Sequence, residues 1–522
     1  MLKKLHGRKL AVCLIGGAMY ALFSAFGWQA EHGGVIRAGG ALLVAALLVW
    51  PIAALLAVLL ERGYTRALRQ EKTFRAGRAF AFMLACYVPM FCVAFPGSFA
   101  YDVPYQLRQV VTGAYSTHHP LLHTLALGGL LQLGRALGDI NLGAALYTAL
   151  QMALLAGCFA LTCGSIARQS GARAAKRAAV FFALYPLNMV MAVNATKDVL
   201  FGGFFALTLA LLNEMQEKPS RGLALKIAVC GALAVMLRNN MAYAALVWLA
   251  FLTIGLRKAE KSAALAMLLA LAVGLCGNAA LKRATRAESG DMSEMLSWPI
   301  QQLARARLYD EDRLTDAEKE AIDELMPGEA WACYDPTISD PVKFEFDTQA
   351  FRADVKKYVG VWLSVGKKCA GTYLDATMAL TYPFFYPYRE YRVSGYYVQM
   401  GMSDAYDAGW CDFDPPESRS PFPRVLASLS WRFGAKGAMQ IPVVGWLFNM
   451  GVIVWTMLFF ALREMYWGRW RRFGTALLPV LLWGTFLLGP VMAGRYIYPF
   501  VCALPVLAAR PGRSVKEAAR HG

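Results

Sequence analysis

AFPGSFAYDVPYQLRQVVTGAYSTHHPLLHTL, residues 94–125, is the stretch on which the reading of the chain turns. A long apolar run ends near Phe95 and a Pro-Gly break follows. An acid, several aromatics and the histidines His118, His119 and His123 then appear before apolar sequence resumes at Pro120. Asp102 stands directly ahead of Val103 and Pro104, which open a short helical pattern. Two roles are open to it. An Asp before a proline-started first turn is good N-cap chemistry. A carboxylate at the mouth of a helical bundle, shielded by Phe99 and Tyr101, also keeps enough basicity to take a proton from a hydroxyl.

The sequence around this stretch is that of a membrane protein. Over 522 residues, 57% are hydrophobic and only 17% charged, with a mean hydropathy of +0.40, which is more apolar and less charged than soluble proteins are. The expected fold class is an all-α polytopic membrane protein. Its apolar runs predict about twelve transmembrane helices, near residues 9–28, 40–60, 79–95, 142–166, 178–194, 198–214, 223–237, 241–256, 263–281, 442–462, 474–491 and 495–509. The first run lacks a small-residue cleavage site and reads as a retained span rather than a signal peptide.

The formal net charge of +18 does not point to nucleic acid, because its distribution follows the membrane. With a cytoplasmic N-terminus, KKLHGRK, ERGYTRALRQEKTFRAGR, ARQSGARAAKR, EKPSRGLALK, GLRKAEK, REMYWGRWRR and RPGRSVKEAAR all fall on the cytoplasmic side. They carry roughly 28 basic residues, against about 6 in the short opposite loops. This places both termini in the cytoplasm of a multi-pass protein of the cell membrane. It also requires that residues 120–137 not cross the bilayer, so they are expected as a helix along the outer interface; read as an ordinary span, they would put ARQSGARAAKR outside.

Four parts follow from this topology. Residues 1–78 hold two N-terminal helices and a basic cytoplasmic loop, and residues 79–281 a transmembrane core with a first outer loop at 96–141. Residues 282–441 are one large extracytoplasmic segment, and 442–522 the last helices and a basic tail. In the outer segment DEDRLTDAEKEAIDELM predicts a helix that Thr315 caps and Glu318 closes as a capping box. The aromatic stretch YPFFYPYREYRVSGYY predicts contact with the membrane face. Of eleven cysteines, eight lie in apolar runs; Cys333, Cys369 and Cys411 lie in the outer segment, where their number allows one disulfide but their spacing does not assign it. No metal-ligand spacing and no glycine-rich phosphate loop appears.

An ionisable group at membrane depth costs roughly 2.5–3.5 kcal/mol on insertion scales, so each one needs a partner, a cavity or a function. Besides Asp102 these groups are Lys197 and Asp198 in NATKDVLFGG, Arg238 with Asn239 in LRNN, and Arg495 with Tyr496 in GRYIYPF. Lys197 either snorkels at the interface or offers a cation to a phosphate that Asp198 helps to orient. Arg238 and Arg495 either hold phosphate oxygens or close buried salt bridges to Asp102 and Asp198. The histidines are expected to hydrogen-bond at the head of the interface helix.

Taken in order, an acid in the first long outer loop, a HHPLLHTLALGGLLQLGRALG helix, a second outer acid in TKDVLF and a late RYIYPF resemble the GT-C superfamily of membrane glycosyltransferases. The pattern is similar to the aminoarabinose transferases and protein O-mannosyltransferases, and most similar to bacterial GT-C-like proteins without an assigned substrate. The resemblance covers residues 79–281 and 442–509. It implies an inverting glycosyltransferase that moves a sugar from a polyprenyl-phosphate donor to a glycan, lipid or protein acceptor at the extracytoplasmic face. Asp102 would be the general base and Asp198 the second acid, with Arg495 on the donor phosphate. Tyr101, Gln106, His118, His119, Lys197, Arg238, Asn239 and Tyr496 would be substrate contacts. The resemblance names no definite cofactor, and a divalent metal is left open. The chain departs from the family in its two extra N-terminal helices, in lacking a second acid beside Asp102, and in His119 where the aminoarabinose transferases have a lysine. The same charges would also suit a flippase for a lipid-linked sugar, or a polymerase or ligase of lipid-linked glycans.

Overall fold

The computed structural model describes residues 2, 5–32, 37–62, 73–253, 258–387, 398–402, 415–433 and 441–510. Among them the fold is all-α: there are no strands, only isolated β-bridges between loops. The first part comprises α1 (Arg8–His32), α2 (Ala38–Arg62), α3 (Ala76–Val93), α4 (Val103–Thr112), α5 (Leu121–Ala136), α6 (Ile140–Ser170), α7 (Ala172–Leu184), α8 (Pro186–Ala192), α9 (Lys197–Glu217), α10 (Arg221–Leu237), α11 (Asn239–Thr253) and α12 (Lys258–Thr285). Six of these, α1, α2, α3, α6, α9 and α12, are long and apolar enough to cross a membrane.

The polar segment after α12 contributes α13 (Ser297–Tyr309), α14 (Asp316–Leu325), α15 (Asp340–Phe344), α16 (Thr348–Ala353), α17 (Val355–Lys368), α18 (Ala370–Thr381) and α19 (Pro423–Phe433). The chain closes with α20 (Met450–Tyr466), α21 (Trp470–Leu487) and α22 (Tyr498–Ala508).

The apolar runs become helices because lipid leaves the backbone no partner but itself. The N-terminal pair packs through small residues: Ala21, Ala25, Ala41 and Ala45 form a buried seam that lets α1 and α2 approach closely. The run at 178–194, expected as one helix, is two, because Pro186 lacks the N–H that would continue α7. The freed carbonyl of Phe182 is taken by the Tyr87 hydroxyl at 2.8 Å and the Asn188 side-chain amide at 3.1 Å, so side chains fill the break. At 16 residues α5 reaches about 24 Å, short of a roughly 30 Å hydrocarbon core.

The polar segment after α12 has an apolar core of its own around Ile300, Leu303, Ile322, Val342 and Val365. The expected capping box is present: the Thr315 hydroxyl accepts from the Glu318 N–H and the Glu318 carboxylate from the Thr315 N–H. Tyr382, Phe384 and Phe385 of the aromatic stretch pack into the main helical core, while its residues 388–397 lie outside the described residues. Cys333 and Cys369 are free thiols, and Cys411 lies outside the described residues.

Candidate functional site

Three loops far apart in sequence are stitched together at one end of the bundle. The Ser98 N–H donates to the Val193 carbonyl at 2.9 Å, and the Ala195 N–H to the Ser98 carbonyl at 2.8 Å. The third loop of this knot is 398–402: the Phe99 N–H donates to the Gly401 carbonyl, the Gly401 N–H to the Ser98 hydroxyl, and the Asn194 amide to the Gln399 carbonyl, each at 2.9 Å. Gln151 of α6 fastens the knot to the bundle by donating to the carbonyls of Ala192 and Asn194. Gly97 is required here: its φ is +142°, and a Cβ would stand 2.2 Å from the Thr148 hydroxyl.

Tyr101 has φ 56°, a left-handed conformation that is costly for an aromatic residue and is held only where the surroundings enforce it. Its hydroxyl accepts the Gln399 N–H, and its ring lies 4.5 Å from the Arg495 guanidinium carbon. The next residue is Asp102. Although it occupies the N-cap position of α4, its side chain makes no capping hydrogen bond, so the cap role is not the one it plays. Instead its Oδ2 accepts from Lys197 Nζ at 2.7 Å and Arg495 Nη1 at 3.1 Å, and its Oδ1 from Arg495 Nη2 at 3.1 Å. His119 Nδ1 stands 3.7 Å from the same carboxylate.

Asp198, in the first turn of α9 and without solvent exposure, is paired with Arg238 at the junction of α10 and α11. Arg495 Nε is 3.9 Å from Asp198, so this arginine lies between the two acids. The rings of Phe486 and Tyr496 pack on Arg238 at 4.3 and 4.6 Å, and Tyr496 is also 5.3 Å from Arg495. Two guanidiniums thus share one aromatic ring.

Burial by itself would raise the Asp102 carboxyl, but Arg495 and then Lys197 outweigh it and hold the group well below the usual carboxylate range. Burial pushes His119 down to about 3 against the pull of Asp102, so the imidazole is neutral at physiological pH. The cluster therefore holds three cations, Lys197, Arg238 and Arg495, against two carboxylates. Its acceptors run short: the Nε atoms of Arg238 and Arg495 and the Nδ1 of His119 are buried without a hydrogen-bond partner among the described residues. Such an arrangement can take an anion, and it keeps a carboxylate beside the place that anion would occupy.

The structure thus gathers Tyr101, Asp102, His119, Lys197, Asp198, Arg238, Arg495 and Tyr496. Three expected contacts stand apart. Gln106 turns to α5, where its amide meets His123 and Thr124 at 3.0 Å, so it ties α4 to α5 rather than lining the cluster. Asn239 is exposed at the start of α11. His118 is half-exposed and faces Glu294 at 3.9 Å. Glu294 shares the buried Lys343 with Asp340, each at 2.6 Å, which brings the polar segment after α12 up to the histidines. These three residues gave no sequence signal, since acids and lysines are ordinary in a polar segment. The divalent metal left open by the resemblance finds no group of three or more His, Cys, Asp or Glu placed to hold it among the described residues.

A family model described as a family of unknown function, DUF6020, matches residues 110–521. No curated protein and no solved structure matches the chain. The matched region contains Lys197, Asp198, Arg238 and Arg495; it begins after Asp102 and leaves out α1, α2 and α3.

Proposed function

We propose that this chain, which belongs to the DUF6020 family, is an integral membrane glycosyltransferase of the GT-C type that works at the extracytoplasmic face of the cell membrane. It has about twelve spans and both termini in the cytoplasm, and it transfers a sugar from a polyprenyl-phosphate donor to a glycan, lipid or protein acceptor with inversion. The observation that carries this reading is Asp102 held within 3.1 Å of both Lys197 and Arg495, in a cluster with more cations than carboxylates. Asp102 takes the proton of an acceptor hydroxyl as its oxygen bonds to the anomeric carbon. The bond from that carbon to the phosphate oxygen breaks, and the phosphate leaves with the electron pair, its charge met by Arg495, Arg238 and Lys197.

A flippase that moves the carrier without chemistry would need a path lined by these charges. The α7–α8 break is the feature that favours it, but Tyr87 and Asn188 fill that break. Two measurements test the transferase. A polyprenyl-phosphate sugar should accumulate in membrane lipids when the protein is removed, read by mass spectrometry. Asp102→Asn should fail to clear it, with turnover down by about 10²–10⁴, the usual contribution of a general base. Full clearance by Asp102→Asn would sink the mechanism.

A further inference from the structure

We infer that Asp102 is an internal counter-ion that stands in the phosphate's place until an anionic ligand arrives, and that phosphate binding is what frees this carboxylate to act. The inference rests on the phosphate-donor reading above.

The geometry is that of an occupied anion site. Arg495 gives Asp102 a two-pronged fork, Nη1 to Oδ2 and Nη2 to Oδ1, both at 3.1 Å, and Lys197 adds a third contact at 2.7 Å. A guanidinium fork offers the same pair of parallel N–H groups to a carboxylate and to a phosphate, and it cannot serve both at once. A carboxylate committed to two cations is also a poor acceptor for a hydroxyl proton, as the depression of the Asp102 carboxyl shows. The proton-accepting role therefore requires that something of like charge draw Lys197 and Arg495 away.

Exposure tells which of the two acids can be displaced. Asp198 has none, and it is enclosed with Arg238, whereas the side chains of Asp102 and Lys197 keep 21% and 15%. A ligand therefore enters on the Asp102 side, and Asp198 stays where it is. The unfilled Nε atoms of Arg238 and Arg495 show donor capacity that the two carboxylates do not use. Phosphate, with more oxygens than a carboxylate, can use it. It follows that the donor binds first and that the base becomes competent only in the donor complex.

The consequence runs against the usual expectation for a mutated site residue. If Asp102 competes with phosphate for the same cations, removing its charge should tighten phosphate binding. The test is titration of the purified full-length chain in nanodiscs with farnesyl phosphate, followed by calorimetry, with farnesol as the uncharged control. Asp102→Asn should bind farnesyl phosphate roughly tenfold more tightly than the wild type, the scale of one charge-assisted contact no longer contested. Equal or weaker binding by Asp102→Asn overturns the inference and leaves the phosphate reading standing. Binding by neither form overturns both. If Asp102→Asn does not purify as a monodisperse protein, farnesyl phosphate present during extraction should restore it where farnesol does not, because the phosphate supplies the missing counter-charge. Failure of that rescue counts against the inference.

Discussion

The two ends of α9 meet arginines in different ways. The helix is 21 residues long, so Lys197 and Glu217 lie about 30 Å apart. At the Glu217 end the arginines land on backbone. Arg463 donates to Glu464 and to the carbonyls of Leu507 and Ala508, Arg472 to the carbonyl of Ala509 and the Gln169 side chain, and Arg471 to the carbonyl of Gln216. Those carbonyls belong to the last turns of α22 and α9, the negative ends of their helix dipoles. At the Lys197 end the cations meet carboxylates and aromatic rings, with no backbone carbonyl among their bonds in the described residues, and the N-terminus of α9 adds positive charge. Arginines that close helix ends are fixed by the fold. Cations whose only counter-charges are two side chains can exchange one of them for a ligand.

Isosteric removal of one carboxylate at each end gives the largest expected contrast. Asp198→Asn strands Arg238, which has no backbone carbonyl to fall back on among its bonds, and should cost about 3–5 kcal/mol. Glu464→Gln leaves Arg463 on Leu507 and Ala508 and should cost about 1–2 kcal/mol. Denaturant unfolding in detergent measures both, and equal costs would break the comparison. Affinity gives the next contrast. Arg495→Met should weaken farnesyl phosphate binding by about 10- to 100-fold, the worth of a hydrogen-bonded charge pair. Arg463→Met should leave it within about threefold while lowering stability. A loss of affinity in Arg463→Met would mean that the two ends are coupled.

Much of this was legible in the sequence. The long apolar runs became helices, and Thr315 and Glu318 closed their box, because both signals are local. That Asp102, Lys197, Asp198, Arg238 and Arg495 would gather was also readable, since isolated charges in an apolar chain must find each other. Their pairing was not. Lys197 and Asp198, neighbours in sequence, take different partners because successive residues at a helix start point about 100° apart, one to Asp102 and the other to Arg238. The place of Gln106 was not legible for the same kind of reason. It shares a helix with Asp102's neighbours, but its side is the one that α5 covers. The α7–α8 division follows from Pro186, whose effect within an apolar run depends on Tyr87 and Asn188 being there to take the freed carbonyl.

A last contrast uses pH to separate the two ends. Both buried histidines among the described residues, His119 and His123, belong to the Lys197 end. Burial lowers each from 6.5 to about 3. Between those values the unfolded chain binds protons that the folded chain does not, so stability is full above about pH 6.5 and falls as pH drops toward 3. For His119 alone, acidification from pH 7 to pH 5 should remove about 2 kcal/mol, and His119→Gln should lose correspondingly less over the same interval. The Asp102 carboxyl has the opposite kind of group but the same sign: depressed by its cations, its contribution persists until pH falls below the ordinary carboxylate range, so it does not blur this window. Hydrogen exchange at pH 5 should therefore show protection lost first around residues 116–124, with the arginines at the Glu217 end still closed on their carbonyls. Loosening that begins at the Glu217 end, or a His119→Gln protein as acid-sensitive as the wild type, would contradict the assignment of a neutral, buried imidazole to the edge of the Asp102 cluster.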